Sequence, residues 1–586
     1  MNWISISVTF LLLQAPSTLQ AQQARPQDKA SMQGFVVKMG TSEPISKAIA
    51  TLTQIDGRRE TYTFTTASGG QFFFQNLEAG QYRLSVSRNG YVRSEYGARS
   101  PNHPGLPMTL VAGQKMMDVL LPMMPAGTIA GRVFDRDGEP LANVNVQALK
   151  YSYQEGQRVL NTVQQTRTND LGEYRLFWLP PGQYFVSATY AGGPGGGRGF
   201  VGTVAEAVTG RGGRNGGARA GGPAVTTAGR ANTEAQPDEG YIPVYYPGTT
   251  EAQSAAPINL PAGIVFSGVD LTIVAVRTLR VWGQVINGVT GQPVRNANIF
   301  LMPRGQVGFG PGLFENFRNR NINEQGMFEI RGVVPGSYDL IGTLNDRNNR
   351  MSARVPLEIG DSDVQNVSLV ISPGFSIPGR LVIEGRPASA TNQDISRIRV
   401  SLGPRSGILQ FAYNSPPATV QPDGTFSLQQ VGQGEYRLNV TGMPRNSYVK
   451  MARLGAIDVL NAGLRVDRQP NGQLDILVGT DTGAADGTVL NEKQEPAANV
   501  AVVIVPDPAH RTRTDLYRTA STDALGHFHV EGIPPGDYKA FAWESVDSGA
   551  WQDSEFIRQY EDRGKPVRIS ENGQASIELR IIPAQM

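Results

Sequence analysis

Cysteine is missing from all 586 residues of the chain. Its absence excludes disulfide bonds, zinc sites built from thiolates and a lipoprotein anchor. It does not exclude an oxidising compartment, because domains of about a hundred residues bury enough surface to fold without covalent cross-links.

A surplus of charge of one sign is missing as well. The chain has 53 Lys and Arg against 51 Asp and Glu, which gives a net charge of +2. Recruitment of a polyanion depends on a basic surface, so this balance predicts neither a nucleic acid nor an acidic macromolecule as the partner.

Long apolar runs are scarce. Residues 4–13 form a mostly apolar run that is too short to span a bilayer but has the length of a signal-peptide core. Leu19-Gln20-Ala21 provides a cleavage site after it, although Met1-Asn2-Trp3 lacks the usual positive charge. We therefore predict a signal peptide over residues 1–21, a linker over 22–31, no membrane span after cleavage, and a secreted, periplasmic or cell-surface location.

What the chain does have is a motif that occurs five times. Each copy contains two glycines ten residues apart, and an aromatic residue two positions after the first of them. An aliphatic residue lies three before the second glycine, and a tyrosine two after it. The glycine pairs are Gly70/Gly80, Gly172/Gly182, Gly326/Gly336, Gly424/Gly434 and Gly526/Gly536. The tyrosines are Tyr82, Tyr184, Tyr338, Tyr436 and Tyr538. Internal repetition of this kind decides the architecture before any other pattern does.

The motif predicts a strand, a tight connection and a second strand. Alternation with period two places the aromatic and the next apolar residue on one face of the first strand. Pro181, Pro335 and Pro535 precede the second glycine of their copies, which predicts a type II turn because that turn needs positive φ at its second central position. We predict that the repeated rings form the core, and that the tyrosine hydroxyl bonds back across the turn as in a tyrosine corner.

Similar strand patterns precede and follow each copy of the motif, which gives about six or seven short strands per hundred residues. The predicted fold is all-β: a tandem array of antiparallel, seven-strand-type β-sandwiches, prealbumin-like or immunoglobulin-like, each large enough to fold alone. The predicted sandwiches cover residues 32–124, 125–277, 278–374, 375–482 and 483–586.

A segment rich in Gly, Ala and Arg interrupts the second sandwich at residues 191–239. Its Gly210-Arg211-Gly212-Gly213-Arg214 is similar to segments that bind nucleic acid. The segment has too few apolar residues to offset the entropy of ordering, so we predict a disordered surface insertion with no nucleic-acid partner.

The second copy resembles the carboxypeptidase regulatory-like domain family. The resemblance rests on Gly131-Arg132-Val133, Gly138-Glu139-Pro140-Leu141-Ala142-Asn143-Val144, Leu171-Gly172-Glu173-Tyr174 and Leu179-Pro180-Pro181-Gly182-Gln183-Tyr184. The fifth copy matches nearly as well, the third is good, and the first and fourth are looser. The resemblance implies a transthyretin-like β-sandwich, related to bacterial collagen-adhesin B-type repeats and to starch-binding-like folds.

The family name does not imply a peptidase here. The zinc hydrolase domain that precedes this module in metallocarboxypeptidases needs a His-x-x-Glu pair and a distant His. The chain contains only His103, His510, His527 and His529, and none is followed three residues later by Glu. We predict no enzyme, no catalytic residues and no cofactor.

His527 and His529 share one face of a predicted strand and could contribute two ligands to a metal. No third ligand is evident along the sequence, so we predict exposed strand positions and no metal site.

Aromatic residues outside the repeated motif are the candidate ligand-binding residues. They are Trp543, Trp551, Tyr241, Tyr245 and Tyr246. Aromatic faces on loops next to Asp or Glu can stack on sugar rings. The alternative, which we favour, is that these rings pack against their own sandwich or in a contact between sandwiches.

The leading functional hypothesis is an exported, non-enzymatic surface or periplasmic binding protein, with carbohydrate as the ligand class and a polysaccharide or a cell-envelope protein as the partner. The alternative is a structural or protein-interaction spacer rod without a small ligand. An enzyme with dispersed carboxylates ranks third, because no pair of them is spaced for acid and base catalysis.

Overall fold

A computed structural model describes residues 29–57, 59–98, 105–154, 156–190, 239–304, 318–319, 322–346, 349–385, 395–405 and 415–584. The predicted signal peptide and nearly all of the predicted insertion lie outside these ranges. Within them, no helix has both the length and the apolar character needed to cross a membrane.

The chain forms two compact units. The first consists mainly of residues up to Met124, and the second of the residues from Pro125 onward together with Asn89–Val92. Both units are built from β-strands, which confirms the predicted all-β fold class.

The first unit is one sandwich. Its strands are β1 (Ala30–Lys38), β2 (Ile49–Gln54), β3 (Thr61–Thr65), β4 (Gln71–Leu77), β5 (Gly80–Ser87), β6 (Ser94–Glu95), β7 (Met108–Leu110) and β8 (Lys115–Met123). One sheet has the order β4-β1-β8 and the other β3-β2-β5-β6, with β7 beside β5. Strand β1 is antiparallel to β4 but parallel to β8.

The second unit repeats this arrangement along the chain. Its first sandwich, the second of the protein, contains β9 (Gly127–Phe134), β10 (Asn145–Gln154), β11 (Gln157–Arg167), β12 (Glu173–Leu179), β13 (Gly182–Thr189), β14 (Glu239–Tyr241), β15 (Val244–Tyr245), β16 (Ile258–Leu260), β17 (Val265–Phe266), β18 (Leu271–Thr272) and β19 (Ala275–Arg277). The sheets are β12-β9-β17, with β18 also on β9, and β11-β10-β13-β15, with β16 also on β13. Strands β14 and β19 pair separately.

The third sandwich contains β20 (Leu279–Asn287), β21 (Asn298–Pro303), β22 (Arg318–Asn319), β23 (Met327–Val333), β24 (Gly336–Asp346), β25 (Asn349–Ile359) and β26 (Val364–Pro373). Here β25 pairs with both β24 and β26, so the strands form one continuous sheet.

The fourth sandwich contains β27 (Phe375–Ile383), β28 (Arg399–Pro404), β29 (Ala418–Thr419), β30 (Thr425–Val431), β31 (Gly434–Thr441), β32 (Tyr448–Leu454), β33 (Ile457–Asp458), α1 (Val459–Ala462), β34 (Leu464–Val466) and β35 (Leu474–Gly479). The side chain of Asp458 caps α1 by accepting hydrogen bonds from the backbone of Leu460 and Asn461.

The fifth sandwich contains β36 (Gly483–Leu490), β37 (Ala501–Pro506), β38 (Arg518–Ser521), β39 (His527–Ile533), β40 (Gly536–Trp543), α2 (Ser554–Arg558), β41 (Lys565–Ile569) and β42 (Gln574–Arg580). Its sheets are β39-β36-β42 and β38-β37-β40-β41.

The repeated motif crosses between the two sheets of a sandwich. In the fifth sandwich, β39 pairs with β36 in one sheet, whereas β40 pairs with β37 in the other. A type II turn would return the chain beside the strand it had left, and the prediction of that turn is wrong. Gly536 has φ 159°, far from the value of about 80° that a type II turn requires.

The repeated tyrosines lie in the core, as predicted. Tyr82, Tyr184, Tyr338, Tyr436 and Tyr538 are all at most 5% exposed. Each donates a hydrogen bond to the carbonyl oxygen four residues earlier, at 2.6–2.9 Å. The hydroxyl thus satisfies a carbonyl at the connection between the sheets while the ring fills the space between them.

The first glycine of the motif and the glycine of the opening strand have steric roles. Gly526 has φ 76°, and its carbonyl oxygen accepts a hydrogen bond from Val489 of the opening strand. A Cβ on Gly487 would lie 1.9 Å from the carbonyl oxygen of Ile577 and 2.7 Å from the ring of Phe528. The repeated aromatic ring therefore occupies the space that a side chain at Gly487 would need.

Candidate functional site

Trp543 does not lie on a loop. It is the last residue of β40, is 1% exposed, and stacks on Phe541 with ring centroids 5.1 Å apart. Trp543 therefore offers no face for stacking on a sugar, and it has the environment of the favoured alternative, packing against its own sandwich.

Residues 544–564 form the cover over Trp543. This segment, which we call the cap, contains the 3-10 helices Ala550–Gln552 and Glu561–Arg563 with α2 between them. The cap packs on the outer face of a sheet and creates a second apolar cluster, which consists of Val503, Val505, Tyr517, Phe541, Trp543, Val546, Ala550, Ile557, Tyr560 and Ile582. Trp551 is partly buried against this cluster, so it also contributes to packing.

An ion cluster fastens the end of the cap to the sandwich. Glu561 accepts hydrogen bonds from Arg511 at 2.8 Å and from Lys539 at 2.7 Å. Burial disfavours the charged form of Glu561, but the hydrogen bonds from these two cations outweigh it, and the pKa of the carboxyl is lowered.

The cap also contacts the second sandwich. The ring of Tyr153, near the end of β10, packs edge-on against Phe556 of α2 with centroids 5.9 Å apart. A Cβ on Gly156 would lie 2.8 Å from the carbonyl oxygen of Gln552, and one on Gly549 would lie 3.2 Å from that of Tyr153. Burial raises the pKa of the Tyr153 phenol. The contact therefore joins the second and fifth sandwiches, which are not consecutive in the chain.

The three candidate tyrosines pack against the second sandwich. Tyr241 lies edge-on to Tyr190, with centroids 4.9 Å apart, and both contact the main core. Tyr245 packs against a smaller cluster that includes Phe185, and burial raises its pKa. Tyr246 contacts the main core as well. The structure therefore divides the five candidates between two sandwiches and gives each a packing role.

A pair of aromatic side chains that the motif analysis missed is exposed on the second sandwich. Phe177 and Trp178 of β12 are 42% and 51% exposed, and their rings meet edge-on at 4.8 Å. We call this pair the aromatic ledge. The sequence could have revealed this pair. The two positions lie between the repeated apolar residue and the repeated aliphatic residue, and the other four copies carry only polar residues or glycine there.

Trp178 has a backbone conformation that its side chain disfavours. Each sandwich has an irregularity in this strand, where two residues oppose one on the opening strand. The second of the two has left-handed φ in every copy: 58° at Asn76, 60° at Trp178, 74° at Gly332, 59° at Gln430 and 68° at Gly532. Asn and Gly adopt this conformation readily, whereas a bulky aromatic residue there is an outlier.

Charged side chains lie farther along the same sheet face. Glu173 and Arg175 alternate with buried residues of β12, on the side where Phe177 points. Arg132 Nη2 of β9 lies 2.7 Å from Glu173 Oε1, and hydrogen bonds from Arg132 and Asn169 lower the pKa of that carboxyl. The face thus combines exposed rings with an ion pair.

Two segments of the chain, residues 31–115 and 128–210, match the family model described as the carboxypeptidase regulatory-like domain. The chain contains two domains of this family. The aromatic ledge lies within the second carboxypeptidase regulatory-like domain. The three later sandwiches repeat the strand pairing of these domains, but their membership of the family stays a prediction.

Solved structures with similarity to the chain include a protein of Bacillus anthracis and two pilins. The Bacillus anthracis TIE protein is 10% identical over 95% of this chain and 73% of its own, with a TM-score of 0.15. The minor pilin GBS52 of Streptococcus agalactiae is 12% identical over 42% of this chain and 97% of its own, with a TM-score of 0.22. The major pilin subunit BcpA of Bacillus cereus is 11% identical over 59% of this chain and 99% of its own, with a TM-score of 0.13. Likenesses this low carry no argument about function. No curated protein matches the chain.

Proposed function

We propose that the chain is an exported, non-enzymatic binding protein of the cell surface or periplasm, and that its second sandwich binds carbohydrate through the aromatic ledge. The observation that carries the proposal is Trp178, a large ring exposed to solvent on a left-handed residue. The bulge sets the backbone conformation at this position in every sandwich, but it does not require a large ring there, because the other four copies carry Asn, Gln or Gly.

The conformation of Trp178 supports a role in binding. A non-glycine residue held in the left-handed region costs about 1–3 kcal/mol, and such residues cluster at ligand sites and switch regions. About half of Trp178 is exposed to solvent. Burial of the rest of the residue therefore offsets only part of the conformational cost. A ligand that covers the ring would bury the remaining apolar surface.

The chemistry around the ledge suits a sugar. A pyranose ring presents C–H groups on its faces and hydroxyls around its rim. An exposed indole offers an apolar surface of matching size, and aromatic groups are favoured at sites where one part of the ligand is apolar and another is wet. Arg175 and the Arg132–Glu173 pair supply hydrogen-bond donors and acceptors on the same face of the sheet.

The proposal of a non-enzymatic role rests on how the repeated residues are used. The repeated rings fill the cores, and the repeated tyrosine hydroxyls satisfy carbonyl groups at the connections between sheets. Export is proposed from the apolar run at residues 4–13.

Affinity electrophoresis of the full chain against a panel of polysaccharides tests the function. We expect at least one polysaccharide to retard the wild type and to leave Trp178→Asn unretarded, because asparagine keeps the backbone conformation and removes the ring. Phe73→Gln is the matched control, since Phe73 is 49% exposed on the equivalent strand of the first unit. Equal retardation of wild type and Trp178→Asn would refute the ledge, and no retardation by any polysaccharide would refute carbohydrate as the ligand class.

A structural or protein-interaction spacer is the second candidate. The contact between Tyr153 and the cap favours it, because a contact between sandwiches distant in sequence restrains the spacing of the array. Small-angle scattering can test this role: Tyr153→Ala should increase the radius of gyration if the restraint matters. An unchanged scattering profile would count against it.

A further inference from the structure

One sheet face of the fifth sandwich collects four side chains that commonly bind metals. His527, His529 and Glu531 alternate with buried residues along β39, so all three point to the outer face. Strand β36 lies beside β39, and its Asp486 is directly opposite His529. No third ligand is evident near the two histidines along the sequence, because the register that brings Asp486 to them is set by sheet pairing.

His529 is held between two carboxylates. Its Nδ1 lies 2.5 Å from Asp486 Oδ1, and its Nε2 lies 3.1 Å from Glu531 Oε1. The other oxygen of Asp486 accepts a hydrogen bond from Gln574 Nε2 of β42 at 2.6 Å. Asp486 therefore fixes the ring of His529 and is itself fixed by a third strand.

We propose that this face binds a divalent transition metal ion, with His527, His529 Nε2 and Glu531 as ligands and Asp486 as a positioning residue. An imidazole that ligates a metal through one nitrogen typically donates its other N–H to a carboxylate, and the Asp486–His529 pair has this arrangement. The metal would replace the proton between His529 Nε2 and Glu531, and that proton would pass to solvent.

The spacing of two of the proposed ligands already suits one ion. Tetrahedral zinc binds imidazole nitrogen and carboxylate oxygen at about 2.0–2.2 Å, which places two such donors about 3.3 Å apart. The observed separation of 3.1 Å between His529 Nε2 and Glu531 Oε1 is close to that distance. Only a small adjustment of either side chain is needed to admit the ion.

His527 supplies the third ligand by rotation of its side chain. Residues i and i+2 of a strand are about 6.6 Å apart, a distance that two imidazoles leaning toward each other can span to reach one ion. In the described part of the chain, no three metal-binding side chains yet surround a single point. The site therefore forms on metal binding, and its exposed position leaves room for water as a further ligand.

The ligand set selects the class of metal. Two imidazoles with one carboxylate suit Zn²⁺, Cu²⁺ and Ni²⁺, whereas Mg²⁺ and Ca²⁺ prefer oxygen ligands alone. Since the chain contains no cysteine, thiolates do not compete for these ions.

Isothermal titration of the full, tag-free chain with ZnCl₂ tests the site, with CaCl₂ as the comparison ion. We expect saturable Zn²⁺ binding that weakens at least tenfold in His527→Ala and in His529→Ala, and no response to Ca²⁺. His510→Ala is the matched control, because His510 is also exposed and also pairs with a carboxylate, Asp507, at 2.8 Å. Asp486→Asn should weaken binding by less than removal of either histidine.

A measurement on the wild type keeps the test independent of how the variants fold. Zn²⁺ should shift the imidazole NMR signals of two histidines together, and His510→Ala should leave both shifts in place. Unchanged Zn²⁺ affinity in both His527→Ala and His529→Ala, or Zn²⁺-dependent shifts confined to His510, would overturn the proposal.

Discussion

The phenol oxygen of Tyr538 donates a hydrogen bond to the carbonyl oxygen of Pro534 at 2.8 Å, across the connection between β39 and β40. The ring itself is 5% exposed, and burial raises the pKa of the phenol. One side chain therefore both fills the core and satisfies a backbone acceptor where the chain changes sheets.

Two substitutions at Tyr538 separate these roles. Tyr538→Phe should lower the free energy of unfolding of the fifth sandwich by about 1 kcal/mol, because only the hydrogen bond is lost. Tyr538→Ala should lower it by about 3–5 kcal/mol, because it also leaves a cavity. Hydrogen exchange of peptides from β39 and β40 in the full chain measures both effects. Equal effects of the two substitutions would contradict the role of the ring in packing.

Gly487 should tolerate no side chain. Gly487→Ala places a methyl group against the carbonyl oxygen of Ile577 and the ring of Phe528, so we expect a loss of about 3 kcal/mol or more in the stability of the fifth sandwich. Gly360→Ala is the control, because no atom lies within 4 Å of its added Cβ. Thermal unfolding followed by calorimetry should show a lower transition for the first variant only. A transition unchanged by Gly487→Ala would show that the close approach is not required.

Trp178→Asn should stabilise the second sandwich. Asparagine accepts the left-handed conformation at lower cost than tryptophan, so the free energy of unfolding should rise by roughly 1 kcal/mol. Asn76, with φ 58° at the equivalent position of the first unit, is the natural precedent. Hydrogen exchange of peptides from β12 provides the measurement. Lower stability in the variant would mean that packing between Trp178 and Phe177 outweighs the backbone strain.

The repeated residues were predictable from the sequence, and the departures from the repeat were not. Tyr538 alternates with apolar neighbours in a pattern that recurs in every copy, and this places its ring in the core whatever the neighbouring strands are. Burial of Trp543 depends on the cap, a segment without periodic patterning that follows it. The pairing of His529 with Asp486 depends on strand register, which residues 43 positions apart do not reveal locally. The unusual tryptophan at position 178 is visible in the sequence. Its left-handed backbone conformation is not, because it follows from strand pairing, in which two residues of β12 oppose one of β9.

Removal of Tyr153 should loosen the cap. The ring of Tyr153 covers Phe556 from the second sandwich, so Tyr153→Ala exposes apolar surface of α2 and should speed hydrogen exchange in residues 550–563 severalfold. Val163→Ala is the control, because Val163 lies on the same hairpin of β10 and β11 and is 49% exposed. Exchange in the cap that is equal in both variants and the wild type would show that the contact contributes nothing to its stability.

The cap should also detach as the pH falls. The pKa of Glu561 is lowered in the folded chain by hydrogen bonds from Lys539 and Arg511, which outweigh the opposing effect of burial. A carboxyl whose folded pKa lies below its unfolded value stabilises the fold above the unfolded value, about 4.3, and loses that contribution as the pH falls through the folded pKa. Wild type should therefore melt at a higher temperature than Glu561→Gln at pH 7, and the difference should shrink below pH 4. A difference that stayed constant down to pH 3 would show that the charge of Glu561 does not hold the cap.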